Sequence, residues 1–327
     1  MTVRARVVAP IRRGLHEGAA RWPWFRRVVE TGARELARAL HDDVYGDGYY
    51  GTRDGAPTAL EIGTNEYTRD TTHANEGAYL VWRFLPVTRP LDVGCAFGFV
   101  VEAERELGLD AQGVDVSQYA LDYAALGARG HVRYGNLLHR LPFGDGAFDC
   151  ITAFETFEHL PPESVPAALA EVRRVTSRYV LATIPSFGPN INGPGGWFEV
   201  KIKPDRLDYY RSLGEGFDGP VPYNDLNRDE QGRPIEGHLT IASFAWWTRQ
   251  FEAAGLTRCA AVERLIHPEL ARFGLTKYWN LYVLRVAGVD EPAGDLRSPS
   301  EIADVEHRFG LDGRVAAPED LARLQLA

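Results

Sequence analysis

From residue 90 to residue 184, short apolar runs alternate with longer stretches whose apolar positions recur at helical spacing. That rhythm predicts strand–helix–strand units on a parallel sheet, because parallel strands need crossover connections. Strands are predicted over 91–93, 111–116, 132–135, 148–154 and 179–184, with helices over 100–107, 119–126 and 167–175. The rhythm then breaks over 185–237, where Pro, Gly, Asn and Asp cluster among aromatics. An aperiodic stretch of this length inside a domain predicts a lid or binding loop. Order resumes with a helix over 244–254 and strands over 257–265 and 279–286, and the chain ends in a polar, partly helical tail from Asp290.

Upstream, Val28, Val29, Leu36, Ala37 and Leu40 predict one or two helices over 11–41, interrupted at Pro23. The glycine-rich segment 45–51 predicts a loop with exposed tyrosines. The division that follows is an N-terminal helical extension (1–86), an α/β core (87–287) interrupted by the insertion 185–237, and a C-terminal tail (288–327).

Charge and composition narrow the field. A net charge of −9 provides no basic footprint for phosphates, so a nucleic-acid partner is not expected. No run approaches the roughly 18 apolar residues of a membrane span, and the basic N-terminus lacks the apolar core of a secretory signal. The expected setting is cytoplasmic, without a membrane partner. The N-terminal helices are expected to pack on the core or to form a homodimer. Cys95, Cys150 and Cys259 are too few and too scattered for a disulfide framework or a CxxC site, and no metal is expected.

The candidate chemistry starts at Leu91-Asp92-Val93-Gly94-Cys95-Ala96-Phe97-Gly98-Phe99, a turn that follows a strand and opens a helix. Small residues there let a ligand approach the backbone, and the helix start offers unpaired N–H groups. A dinucleotide fingerprint would need glycine at 94, 96 and 99; Ala96 and Phe99 argue against it. Asp115 ends the next strand about twenty residues beyond the turn, the spacing at which a carboxylate can take ribose hydroxyls. Further on stand Gly135-Asn136-Leu137, then Leu141-Pro142-Phe143, then Phe154-Glu155-Thr156-Phe157-Glu158-His159-Leu160.

In this order and spacing, these stretches resemble the motifs of class I S-adenosylmethionine-dependent methyltransferases. Asp92, Gly94, Ala96 and Gly98 stand for the family's acidic-x-Gly-x-Gly-x-Gly, with Ala96 a sterically small departure. The resemblance covers about 87–287 and implies a Rossmann-like α/β fold with a seven-stranded, mostly parallel sheet. It also implies S-adenosyl-L-methionine as cofactor, its methionyl part wrapped by the turn through Asp92, Gly94, Cys95, Ala96 and Gly98. Asp115 would hold the ribose hydroxyls, Val116, Asn136 and Leu137 would contact adenine, and Phe154 would open the loop beside the cofactor. A less specific similarity, in Ile184-Pro185-Ser186-Phe187-Gly188-Pro189-Asn190 and the long insertion, is to aminoglycoside N-methyltransferases of antibiotic biosynthesis.

The implied reaction is an in-line displacement that needs an acceptor held opposite the methyl group. His159 and His238 are the candidate bases, each with a purely structural alternative, and His73 is a weaker one. Arg69 could hold the cofactor's carboxylate through a two-pronged bond. Trp197, Phe198, Tyr209, Tyr210 and Tyr223 in the insertion are placed to touch a small-molecule substrate. Residues 188–238 carry nine acids against six bases, and Asp42, Asp43, Asp47 and Asp54 add negative charge upstream. That points to the amine of a cationic amino sugar. The alternatives are O-methylation of a sugar or polyketide hydroxyl, and a non-catalytic, cofactor-binding regulatory protein.

Overall fold

The computed structural model describes Tyr45 and residues 47–50, 67–196, 201–213, 217–228 and 234–326. The predicted helices over 11–41 therefore lie outside the described residues. The sheet strands are β1 (Pro90–Val93), β2 (Gln112–Asp115), β3 (Val132–Tyr134), β4 (Phe148–Phe154) and β5 (Thr176–Thr183), then, beyond a small two-stranded pair, β6 (Ser186–Phe187) with β7 (Ala242–Ser243), β8 (Leu256–Arg258) and β9 (Leu281–Val286). The seven-stranded sheet has the order β3-β2-β1-β4-β5-β9-β8. All its pairings are parallel except those of β9, which runs antiparallel to both β5 and β8. The expected Rossmann-like, mostly parallel sheet is what the chain forms.

Helices cover both faces. In chain order they are α1 (Asp47–Tyr50), α2 (Ala74–Phe84), α3 (Phe99–Glu106), α4 (Gln118–Asp122), α5 (Val165–Val175), α6 (Pro204–Leu213), α7 (Phe244–Ala253), α8 (Ala260–Arg272), α9 (Pro299–Phe309) and α10 (Pro318–Leu326). The central strands are apolar on both sides because each side meets a helical layer. Along β5, Tyr179 and Leu181 join the core beneath α2, α8 and α9, while Val180 and Ala182 join the core beneath α5 and α7. Along β9, Leu281 and Val283 take the first side and Tyr282, Leu284 and Val286 the second. Alternation at period two thus feeds two cores from one strand.

Two expectations are corrected here. The strand predicted over 257–265 ends at Arg258, and Ala260 starts α8. Val262, Ile266 and Leu270, four residues apart, form its buried stripe. Pro268 sits inside that helix, which obscures the pattern in sequence. The insertion is also not structureless. Phe187, Ile202, Tyr210, Val221, Leu226 and Ile241 make a small core of their own around α6, and the β6–β7 pair closes its root. The C-terminal tail is docked too: Val305 and Phe309 of α9 enter the core beneath α2, Asn75 Nδ2 donates to the Phe309 carbonyl at 3.2 Å, and a Ser298–Glu301 capping box starts the helix.

Order reverses at β1, which has β2 on one side and β4 on the other. In open α/β sheets such a switch point opens a crevice at the carboxyl ends of the strands.

Candidate active site

A cavity of about 700 Å³ occupies that crevice. Its floor is the turn after β1, where Gly94, Ala96 and Gly98 have φ of +75°, +46° and +73°. Gly94 is required twice over. Left-handed backbone strains any residue with a Cβ, and a Cβ there would sit 2.5 Å from Thr156 Oγ1. Ala96 accepts that strain at the position where the family pattern has glycine. The amides of Gly94 and Cys95 both donate to the Val114 carbonyl, at 2.8 and 3.1 Å, which binds the turn to β2.

Asp115 ends β2 against this turn. Its Oδ2 accepts the Ala96 amide at 2.8 Å and its Oδ1 the Ser117 amide at 2.7 Å. Burial raises its pKa, opposed by those amides. Asp92 lies deeper and accepts from Thr152 Oγ1 at 3.0 Å; burial pushes its carboxyl up to about 7 despite that bond. Cys95, Val116, Asn136, Leu137 and Phe154 also line the cavity. Asn136 Oδ1 accepts the Leu138 amide at 2.8 Å, which fixes the loop after β3.

Two of the expected cofactor contacts lie elsewhere. Arg69 does not line the cavity: its guanidinium binds Glu106 at 2.6 Å, Glu102 at 3.2 Å and Asn75 Oδ1 at 2.7 Å. A fork satisfied by two carboxylates is not free for a third. Gly98 starts α3 and does not face the cavity, since a Cβ there would meet Ala128. His73 is also outside, its ring packed edge-on against Tyr278 at 5.6 Å.

In the same cavity His159 and His238 come together, with ring centroids 4.9 Å apart at 86°. They are 79 residues apart in sequence, and the backbone joins them. His159 sits in the short 3-10 turn Phe157–His159 after β4. The Glu158 carbonyl accepts the amides of Leu239 and Thr240 at 2.8 and 2.9 Å, which clamps the end of the insertion onto that turn. Left-handed conformations at Glu236 and Gly237 aim His238 inward. Burial pushes His159 down to about 4, and burial, with the neighbouring His159 and Lys201, also holds His238 well below the usual imidazole range. Burial also holds the Glu158 carboxyl well above its usual range, with Glu155 adding to the effect. Lys201, paired with Glu236, lines the cavity with them.

The substrate-facing aromatics differ from those expected. Trp197 and Phe198 lie outside the described residues. Tyr210 is buried and donates to Asp225, while Tyr209 and Tyr223 are about half exposed on the surface, covered by Arg206 and Arg228. The cavity takes its rings from Tyr45, Tyr49, Tyr50, Tyr67 and Tyr278 instead. The segment expected to expose its tyrosines thus turns them inward, where Tyr50 packs on Phe97 at 5.1 Å. The Ser117 hydroxyl holds the Tyr45 carbonyl at 2.6 Å. Their signal was the density of tyrosine itself, since a solvated loop has no need of large rings.

In strand order, glycine turn and the acid at the end of β2, the core resembles a class I methyltransferase domain. Residues 91–179 match the family model described as a methyltransferase domain. Ubiquinone biosynthesis O-methyltransferase of Aromatoleum aromaticum is 31% identical over 102 residues, which cover 29% of this chain and 44% of that protein. The enzyme of the same name from Hahella chejuensis is 32% identical over 106 residues, 31% of this chain and 44% of its own. The chain thus spans less than half the length of these curated relatives. Among solved structures, magnesium protoporphyrin IX methyltransferase from Synechocystis, with bound SAH, aligns with 79% of this chain and all of its own at 13% identity and a TM-score of 0.42. Among the described residues, no helix is long and apolar enough to cross a membrane.

Proposed function

We propose that this chain is an S-adenosylmethionine-dependent methyltransferase acting on a small molecule. The observation that carries the reading is the seating of Asp115 against the left-handed turn in a cavity that His159 and His238 also line. The residues fit the cofactor. Each Asp115 oxygen takes one amide and keeps a lone pair for a ribose hydroxyl. Val116 and Leu137 offer apolar surface to a base, and Asn136 is placed to read its edge. Gly94, Cys95 and Ala96 let the methionyl part lie against backbone, and about 700 Å³ has room for it beside an acceptor. When bound, the cofactor supplies a methyl group activated by a sulfonium. The protein's part is to hold the acceptor opposite it and to exclude water, which the buried tyrosines and the end of the insertion do. Positioning of this kind can be worth about 7–11 kcal/mol.

For the acceptor, a hydroxyl is favoured, since the neutral imidazoles of His159 and His238 can take or orient its proton. The relatives' printed names bear the same way. The amine of an amino sugar is the second reading. Its ground was the acidity of 188–238, but Asp208, Asp218, Asp225 and Glu236 pair with Arg211, Arg249, Arg206 and Lys201, which weakens the field left for a cation.

The test is transfer of labelled methyl to matched hydroxyl and amino acceptors, with binding of the demethylated cofactor measured alongside. Transfer to the hydroxyl is expected. Transfer only to the amine selects the second reading, binding without any transfer selects a regulatory role, and absence of binding overturns the proposal.

A further inference from the structure

Glu158 is an anomaly. Its side chain is wholly buried, yet among the described residues neither carboxylate oxygen receives a hydrogen bond from another residue. An orphaned buried carboxylate is among the costliest arrangements a core can hold. Beside it, His238 is 6% exposed and its Nδ1 also lacks a partner among the described residues, while its Nε2 stands 3.7 Å from Glu158 Oε1, beyond hydrogen-bond distance. Ligating atoms of Glu158, His159 and His238 all lie within 4.8 Å of one another.

We infer that Glu158, His159 and His238 form a binding site for one divalent transition-metal ion beside the cavity. Two imidazoles and a carboxylate suit a first-row transition metal rather than magnesium, which prefers all-oxygen ligands. A tetrahedral ion with bonds of about 2.0 Å spaces its ligands by about 3.3 Å, so side-chain adjustment of up to about 1.5 Å closes the set. The backbone is already in place, because the bonds from Leu239 and Thr240 to the Glu158 carbonyl lock the two ligand-bearing segments together. Both imidazoles line the cavity and Glu158 stands outside its lining, so three protein ligands leave the remaining coordination positions facing the acceptor. There the ion would hold an acceptor oxygen and favour loss of its proton, in place of the imidazoles acting as free bases; that role rests on the methyltransferase reading, and the binding itself does not. The competing cation is Lys201, but its ammonium is engaged by Glu236. Sequence spacing gave no hint of the set, since His238 lies beyond the whole insertion.

The experiment uses the untagged full chain, stripped with chelator and titrated with Mn²⁺ and Zn²⁺ by calorimetry, with metal content checked by mass spectrometry. One ion per chain is expected, and Glu158→Gln and His238→Ala should each weaken binding at least about tenfold. Circular dichroism establishes that each variant is folded; should Glu158→Gln misfold, His238→Ala and the Mn²⁺ resonance spectrum of the native chain, which reports nitrogen ligands, decide alone. No stoichiometric binding of either ion overturns the site, as does equal affinity in folded variants. Full methyl transfer by chelated protein, abolished by Lys201→Met, overturns the ion's role in holding the acceptor and assigns that role to the ammonium. Metal binding without methyl transfer would leave the site standing and refute the proposed function instead.

Discussion

Asp115 Oδ2 accepts the backbone amide of Ala96 at 2.8 Å, a bond that ties the end of β2 to the turn after β1. The bond holds the turn in its left-handed course and aims the carboxylate along the cavity wall. Asp115→Ala is therefore expected to weaken binding of the demethylated cofactor by about 1.5–3 kcal/mol, through loss of hydrogen bonds to a charged acceptor. Calorimetry measures it, and unchanged affinity would take Asp115 out of the site.

Gly94→Val should damage folding as well as binding. The substitution puts a β-branched residue at φ +75° and drives its Cβ into Thr156, whose hydroxyl holds the Val93 carbonyl at 3.0 Å. Backbone strain alone costs about 1–3 kcal/mol. A urea midpoint equal to that of the native chain would show that the turn can relax.

The parts of the molecule legible in sequence were those with local signals. Strands buried on both faces read as apolar runs, and the turn from Asp92 to Gly98 carried its own backbone requirements. Arg69 was not legible because nothing local distinguishes a guanidinium facing a ligand from one facing Glu102 and Glu106 on α3. The core of the insertion was hidden for another reason: Phe187, Ile202, Tyr210, Val221 and Ile241 come from separate short segments and share no period. The pairing of His159 with His238 depends on the Glu158 backbone receiving Leu239 and Thr240, a contact that only the fold supplies.

The insertion is anchored by a buried ion pair. Arg258 Nη2 binds Glu263 Oε2 at 2.6 Å; the same oxygen accepts Asn192 Nδ2 at 2.7 Å, and Glu263 Oε1 accepts the Val283 amide at 3.0 Å. Removing one partner of such a pair leaves the other buried and uncompensated. Glu263→Ala should cost about 3–5 kcal/mol of stability. Hydrogen exchange should then speed up around Asn190 and Asn192 first, since Arg258 also holds Asn190 Oδ1 at 2.9 Å. Exchange that rises uniformly through the chain would contradict a local anchor.

His267 predicts acid sensitivity. It is 1% exposed on α8; burial pushes it down to about 4, with Arg258 lowering it further and a bond to the Trp279 backbone opposing. The loop at Gly193 closes over the ring so tightly that a Cβ there would overlap it. The unfolded chain, with an ordinary imidazole near 6.5, binds this proton more readily than the fold does. The contribution is therefore fully present above pH 6.5 and is lost as pH falls from 6.5 toward 4, on the order of 3 kcal/mol in all. Urea unfolding of the native chain and of His267→Gln at pH 7.5 and pH 5 isolates the term, because every other titrating group is common to both. The native chain should lose more stability between the two pH values than the variant does. Equal losses would mean that His267 takes up its proton inside the fold without cost.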